Sequence, residues 1–257
     1  VELACSLRVF GNAARLGDSC RKARRAGFFA VELDWPRVCR EIPDKSRRVA
    51  MVKEALSDHQ LSIAGVIAGE VTAERPDQLQ LGVRDLTRVF EELKDIGAKT
   101  AVITGGPRSL ENFNCLRDGL LNFLAPEAER CGLEVALANQ VDTRVENRQD
   151  LLAVFTTAYP EHIGACIDVY NFHLAAVNAG DAIREMGKRI KLVRMSDLMG
   201  TVSVPLGQGE IEIKGLIRAL RKVGYDGTIV VDHLSVRDEK IDKALEQACQ
   251  YLHGIIS

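Results

Sequence analysis

Hydrophobic positions along the chain follow two alternating rhythms. Short apolar runs at Glu2–Leu7, Ala30–Leu33, Ser62–Val66, Thr100–Thr104, Glu134–Ala138, Ile163–Ile167, Lys191–Met195 and Thr228–Asp232 have the length of buried strands. Between them lie stretches in which apolar residues recur every three or four positions, the spacing of one helix face. These are Asp18–Ala26, Lys45–His59, Gln80–Ile96, Leu110–Cys131, Glu146–Thr157, Leu174–Met186 and Ile213–Val223, with Glu239–His253 closing the chain. Gly27, Gly97, Gly132 and Gly224 each separate a helical stretch from the next strand, where a residue at positive φ ends the helix. Strands alternating with helices predict a parallel sheet. Eight such units over 257 residues favour one closed (β/α)8 barrel of the α/β class, a single domain spanning 1–257. In such a barrel the chemistry belongs to the loops that follow the strands.

Composition narrows the function classes. Hydrophobic residues make up 46% of the chain, enough for a sizeable core, and the net charge of −2 leaves no footprint for nucleic acid or an anionic membrane. The main basic run, Arg21-Lys22-Ala23-Arg24-Arg25, reads as a solvated helix face. No run approaches the length of a membrane span, and Val1–Phe10 reads as a strand, without the basic segment and long apolar core of a secretion signal. The seven cysteines, at 5, 20, 39, 115, 131, 166 and 249, are odd in number and form no C-x-x-C pair. They read as buried reduced thiols and point to the cytoplasm. Two loops after strands are long, Ile67–Leu79 and Ser196–Glu212. The second contains Pro205-Leu206-Gly207-Gln208-Gly209, whose glycines would let backbone amides approach a ligand, or would simply make a mobile loop. Gly224-Tyr225-Asp226-Gly227 precedes a strand and reads as a structural turn on the opposite face. No dinucleotide or nucleoside triphosphate motif stands in the required strand–helix context.

Three strings at strand ends carry most of the information: Ala136-Leu137-Ala138-Asn139-Gln140, Ile167-Asp168-Val169-Tyr170-Asn171 and Val193-Arg194-Met195-Ser196-Asp197. Together with Leu3-Ala4-Cys5-Ser6, Gly27-Phe28-Phe29-Ala30-Val31-Glu32-Leu33, Gly132-Leu133-Glu134-Val135-Ala136-Leu137, Pro205-Leu206-Gly207-Gln208-Gly209-Glu210-Ile211 and Gly224-Tyr225-Asp226-Gly227, they resemble the sugar phosphate isomerase/epimerase superfamily with a xylose isomerase-like TIM barrel. The resemblance runs the length of the chain. It implies one divalent ion, Mn2+, Co2+ or Mg2+, held by a Glu, an Asp, a His and a second Glu at the ends of strands 5 to 8. It also implies that the two Glu residues move a proton beside a sugar carbonyl polarised by the ion.

Carried across residue by residue, the pattern is incomplete. The strand-5 Glu is Ala138, the strand-6 Asp is Asp168, the His expected three residues later is Asn171, the strand-7 His is Arg194, and the strand-8 Glu is Asp232. An arginine has no lone pair to offer a metal. The divalent ion of the resemblance is therefore expected not to bind, no other cofactor is expected, and the metal-dependent isomerisation or epimerisation is expected to be lost or altered. Arg194 is expected to occupy the former metal space and bond both Asp168 and Asp232, the two candidate catalytic carboxylates.

Glu32, Glu70, Asn139, Gln140, Asn171, Arg194 and Asp197 complete the candidate ligand-binding set. Trp35 could stack on a sugar or pack the loop after strand 2; His173 reads as a helix-start histidine; His233 should face away from Asp232. Three functions remain open: an active isomerase or epimerase with a remodelled site, a non-catalytic polar-ligand-binding or regulatory barrel, and a lyase or dehydratase using the remaining carboxylates. The expected partner is a small polar or sugar-like ligand, with neither nucleic acid nor membrane, and the protein could form a homodimer. Endonucleases that act at abasic DNA sites share the architecture, but those resemble a histidine-rich multi-metal site and this chain has five histidines in all.

Overall fold

Each predicted strand is present, and each lies beside its neighbour in a closed parallel ring. The strands of the ring are β1 (Glu2–Ser6), β2 (Ala30–Asp34), β3 (Ser62–Glu70), β4 (Thr100–Thr104), β5 (Glu134–Ala138), β6 (Ile163–Asp168), β7 (Ile190–Met195) and, after a small hairpin of β8 (Asp197–Met199) and β9 (Val202–Val204), β10 (Thr228–Val231). Their order is β1-β10-β7-β6-β5-β4-β3-β2, closing on itself. The barrel is sealed by β1 pairing with β10, with Glu2, Leu3, Ala4 and Cys5 opposite Thr228, Ile229, Val230 and Val231. The structure is a computed structural model and describes residues 1–11, 13–73, 75–108, 113–155, 159–232 and 240–256. His233, and the expected helix ends at Leu110, Thr157 and Glu239, lie outside the described residues.

Because side chains alternate along a strand, the barrel has two apolar faces with different contents. Outward-facing residues such as Cys5, Val31, Leu33, Ile103, Leu137, Ile167 and Val193 join the helices in the main core. Inside the barrel lies a separate buried cluster drawn from all eight strands: Ala4, Ala30, Ala64, Val102, Ala136, Ala138, Cys166, Leu192 and Val230. Most are small, so the few larger side chains fill the space across the axis. A β-carbon at Gly65 would stand only 3.3 Å from Leu192 Cδ2, so glycine there gives Leu192 its room. The next inward-facing positions toward the strand C-termini are Ser6, Glu32, Asp168, Arg194 and Asp232, and the interior turns abruptly from apolar to charged.

Several elements differ from expectation for identifiable reasons. β3 runs on to Glu70 instead of ending at Val66, through register shifts against β2 and β4. The Leu110–Cys131 stretch has helices at Phe113–Gly119 and Ala125–Cys131 joined by a wide π turn, Leu120–Leu124. Pro126, lacking an N–H, cannot continue the regular ladder there. The Leu174–Met186 stretch is helical only over Ala179–Met186, capped by the Asn178 side chain on Gly180 N, while Leu174 ends a separate helix, Val169–Leu174. Trp35–Glu41 is a helix that the spacing did not suggest, capped by Asp34. Gly27, Gly97, Gly132 and Gly224 all adopt positive φ as expected. No helix among the described residues is long and apolar enough to cross a membrane.

Candidate functional site

At the C-terminal end of the barrel interior, three carboxylates surround one buried guanidinium. Arg194 Nε and Nη2 donate to Glu32 Oε1 at 2.9 and 2.8 Å, and Nε also reaches Oε2 at 3.2 Å. Arg194 Nη1 lies 3.5 Å from Asp168 Oδ2, and Nε lies 3.9 Å from Asp232 Oδ2. Arg194 is thus inside the mouth, as expected from its motif, but its principal partner is Glu32. The expected paired bonds to Asp168 and Asp232 are replaced by longer ion-pair contacts. Asp232 is held by a second guanidinium, with Arg8 Nη2 donating to Asp232 Oδ2. Glu32, Asp168, Arg194 and Asp232 are all at most 3% exposed.

Burial works against the charge on Arg194, but Glu32 foremost, with Cys166, Asp168 and Asp232, more than offsets it and holds the guanidinium well above the usual arginine range. Arg8 is likewise raised: desolvation opposes its charge and Asp232 supports it. Cys166, one inward step below Asp168, is a free thiol pushed far up by burial despite the pull of Arg194. Three carboxylates thus stand beside two guanidinium groups.

The neighbouring polar residues hold the frame. Asn139 Nδ2 donates to Asp168 O at 3.0 Å, and Asp168 N donates to Asn139 Oδ1 at 2.8 Å. This two-way exchange locks the end of β5 to that of β6. Asp168 Oδ1 caps the following helix by accepting Asn171 N at 3.1 Å, and Asn171 Oδ1 accepts Val141 N at 3.2 Å. Asp197 is also buried. Its two oxygens accept the amides of Leu198 (3.0 Å), Gly207 (2.8 Å), Gly209 (2.9 Å) and Ile211 (3.2 Å). The glycine loop therefore wraps an internal carboxylate rather than offering these amides to a ligand. A β-carbon at Gly209 would stand 2.2 Å from Asp197 Oδ1, so this approach requires glycine.

Other expected residues lie outside the cluster. Glu70 and Gln140 are exposed at the ends of their strands. His173 lies within the helix Val169–Leu174, its Nε2 3.0 Å from Gly200 O. Trp35 is buried at 1% exposure with Arg48 over its ring, which is the loop-packing alternative. Arg8 was missed because no motif phrase contains it, although it follows β1 at the active end of the barrel. Arg144 was also missed; its guanidinium donates to Ala73 O at 2.9 Å and to Val71 O and Gly105 O, clamping the loops after β3 and β4 to the segment after β5. Among the described residues, three potential metal ligands come within 4.8 Å of one another at Glu91, Glu127 and Cys131. That group lies outside the mouth, and Arg130 pairs with both of its carboxylates.

A family model for the xylose isomerase-like TIM barrel matches residues 20–253. The chain belongs to that family. It is 24% identical over 233 residues to the ketose 3-epimerase of Arthrobacter globiformis, covering 84% of this chain and 77% of the relative. Similar solved structures include the IolI protein with a bound zinc atom (TM-score 0.83, 16% identity, 100% of this chain and 98% of that one). A D-psicose 3-epimerase from Clostridium cellulolyticum H10, solved with D-tagatose, has a TM-score of 0.82 at 12% identity, with both chains fully covered. The 3-keto-D-glucoside 4-epimerase YcjR of E. coli has a TM-score of 0.78 at 16% identity, covering 99% of each chain. At these identities the structural likeness establishes the fold.

Proposed function

We propose that this family member is a sugar isomerase/epimerase-like barrel whose metal-assisted proton transfer has been lost, leaving a mouth that binds a small polar ligand. The observation that carries this reading is the Arg194 guanidinium, buried among Glu32, Asp168 and Asp232. It supplies a fixed positive charge beside the carboxylates that a divalent ion would need. At about 4 Å a divalent ion and a guanidinium repel by roughly 8 kcal/mol at an effective dielectric near 20. The donor set does not fit the ion.

The second support is Ala138. Its methyl group is buried in the barrel interior where the resemblance implies a carboxylate that accepts a proton. Losing a positioned acid/base group typically costs on the order of 10² to 10⁴ in rate. The likeness to a ketose 3-epimerase supports a polyhydroxylated ligand.

The test is calorimetric titration of chelator-treated protein with Mn2+, Co2+ and Mg2+, in the wild type and in Arg194→His/Ala138→Glu. A ketose is then incubated with each protein in D2O to follow deuterium uptake. The expected result is no stoichiometric ion binding and no exchange in the wild type, with ion binding gained in the double variant. Stoichiometric binding by the wild type, or metal-dependent deuterium uptake, would overturn the reading.

A further inference from the structure

Away from the mouth, a groove of about 680 Å³ opens in the outer helical layer, between the start of helix Leu16–Arg25 and helix Lys45–Asp58. Three arginines, Arg15, Arg21 and Arg47, and three carboxylates, Asp18, Glu41 and Asp44, line it. The two sets are not equivalent, because every carboxylate is already engaged. Both oxygens of Glu41 accept Leu16 N, at 3.1 and 3.2 Å, at the start of the first helix. Asp44 Oδ1 accepts Arg47 N at 2.7 Å, at the start of the second. A carboxylate in such a position faces roughly half a positive charge from the aligned peptide dipoles. Asp18 is taken by Arg21, whose Nη2 donates to Asp18 Oδ1 at 2.8 Å and which foremost holds that carboxyl below its usual range. Among the described residues, the guanidinium groups of Arg15 and Arg47 make no hydrogen bond and no ion pair. The charge left unanswered in the groove is theirs.

We infer that this groove is a separate binding site for a small ligand carrying two or more anionic groups, with Arg15 and Arg47 each taking one. A guanidinium offers paired N–H donors that match the oxygens of a phosphoryl or carboxylate group. Small-molecule pockets span about 300–1,000 Å³, so the groove suits an organic anion and is larger than one inorganic ion fills. Met51, one turn on from Arg47, and His59, at the end of the same helix, line the remainder and leave room for an uncharged body. A diphosphate ester and a tricarboxylate share the required chemistry. The site uses none of Glu32, Asp168 or Arg194 and does not depend on what the mouth binds.

The probes are pyrophosphate and citrate, with inorganic phosphate as a single-group control. Each is titrated by calorimetry, in metal-free buffer, into wild type, Arg15→Gln, Arg47→Gln, Asp18→Asn and Arg25→Gln, with thermal melts confirming that the variants fold. The expected result is one site for pyrophosphate or citrate, with inorganic phosphate bound about tenfold more weakly. The tighter of the two identifies the source as phosphoryl or carboxylate. Arg15→Gln and Arg47→Gln should each weaken binding by about three- to tenfold. Asp18→Asn should tighten it by about threefold, because it removes a negative charge and releases Arg21 to the ligand. Arg25, exposed on the same helix but outside the groove, is the control for diffuse attraction, and Arg25→Gln should change binding by less than about twofold. Absence of binding by both pyrophosphate and citrate overturns the site. So does equal weakening by Arg25→Gln and the groove variants, or phosphate bound as tightly as pyrophosphate. The ion titration of the mouth is decided separately from all of these.

Discussion

Two halves of one barrel interior face each other across a single inward step along five strands. Below are Ala4, Ala30, Cys166, Leu192 and Val230; above them stand Ser6, Glu32, Asp168, Arg194 and Asp232. Both layers are equally buried, yet they depend on different physics. The lower layer is governed by volume, because its small residues leave little room and a lost methyl group leaves a void. The upper layer is governed by charge balance, because each group there is tolerable only while its partners remain. A shared backbone geometry can thus hold a conventional core and a charged constellation less than 10 Å apart.

The sharpest way to break the comparison is to remove the central charge. Arg194→Met preserves bulk but leaves Glu32 and Asp168 without their guanidinium, and should destabilise the protein by about 3–5 kcal/mol in urea unfolding at pH 7. Adding Glu32→Gln to that variant should recover part of the loss, whereas additivity of the two changes would refute the charge-balance account. In the lower layer, Leu192→Ala should cost about 2–3 kcal/mol through cavity formation. That loss should be nearly the same at pH 5 and pH 8.

Cys166, in the lower layer, gives the smallest effect. Its thiol pKa is raised in the fold, so its contribution to stability is complete below the unfolded value near 8.5. That contribution is lost as pH rises toward the folded value, because the unfolded chain gives up the proton first. Between pH 8.5 and 9.5 this amounts to about 1 kcal/mol. Cys166→Ala should accordingly show a shallower alkaline fall in urea midpoint than the wild type. An unchanged slope would show that the thiol ionises as readily in the fold as in water.

The sequence made the layers visible to different degrees. The apolar runs gave β4 and β5 to the residue and most other strands within one, because buried parallel strands are nearly continuous in hydrophobicity. The extension of β3 to Glu70 was hidden, since Ala68-Gly69 breaks the apolar run and the register shifts depend on neighbouring strands. In the site, the strand-end strings located Asp168 and Arg194, and the strand-8 position implied by the resemblance located Asp232, because inward-facing residues at strand tips have few other places to go. They left open which carboxylate Arg194 would choose. Glu32 lies 162 positions away, and its nearness follows from barrel closure rather than local spacing. Asp197 stood beside the same motif, but its role was set by the path of residues 207–211, which turn back on it.

The joint between β1 and β10 has a consequence for the order of events during folding. It unites residues 2–5 with 228–231, and the Arg8–Asp232 pair crosses the same joint. Arg8 and Asp232 are 224 positions apart, so both contacts carry a large loop-closure cost and belong to the slow, non-local end of assembly. Until then β1 and β10 present open edges, and Arg8 and Asp232 are separately hydrated. Closing the ring at this joint also brings Arg8 to Asp232, so an incompletely closed chain would carry the motifs without the completed mouth.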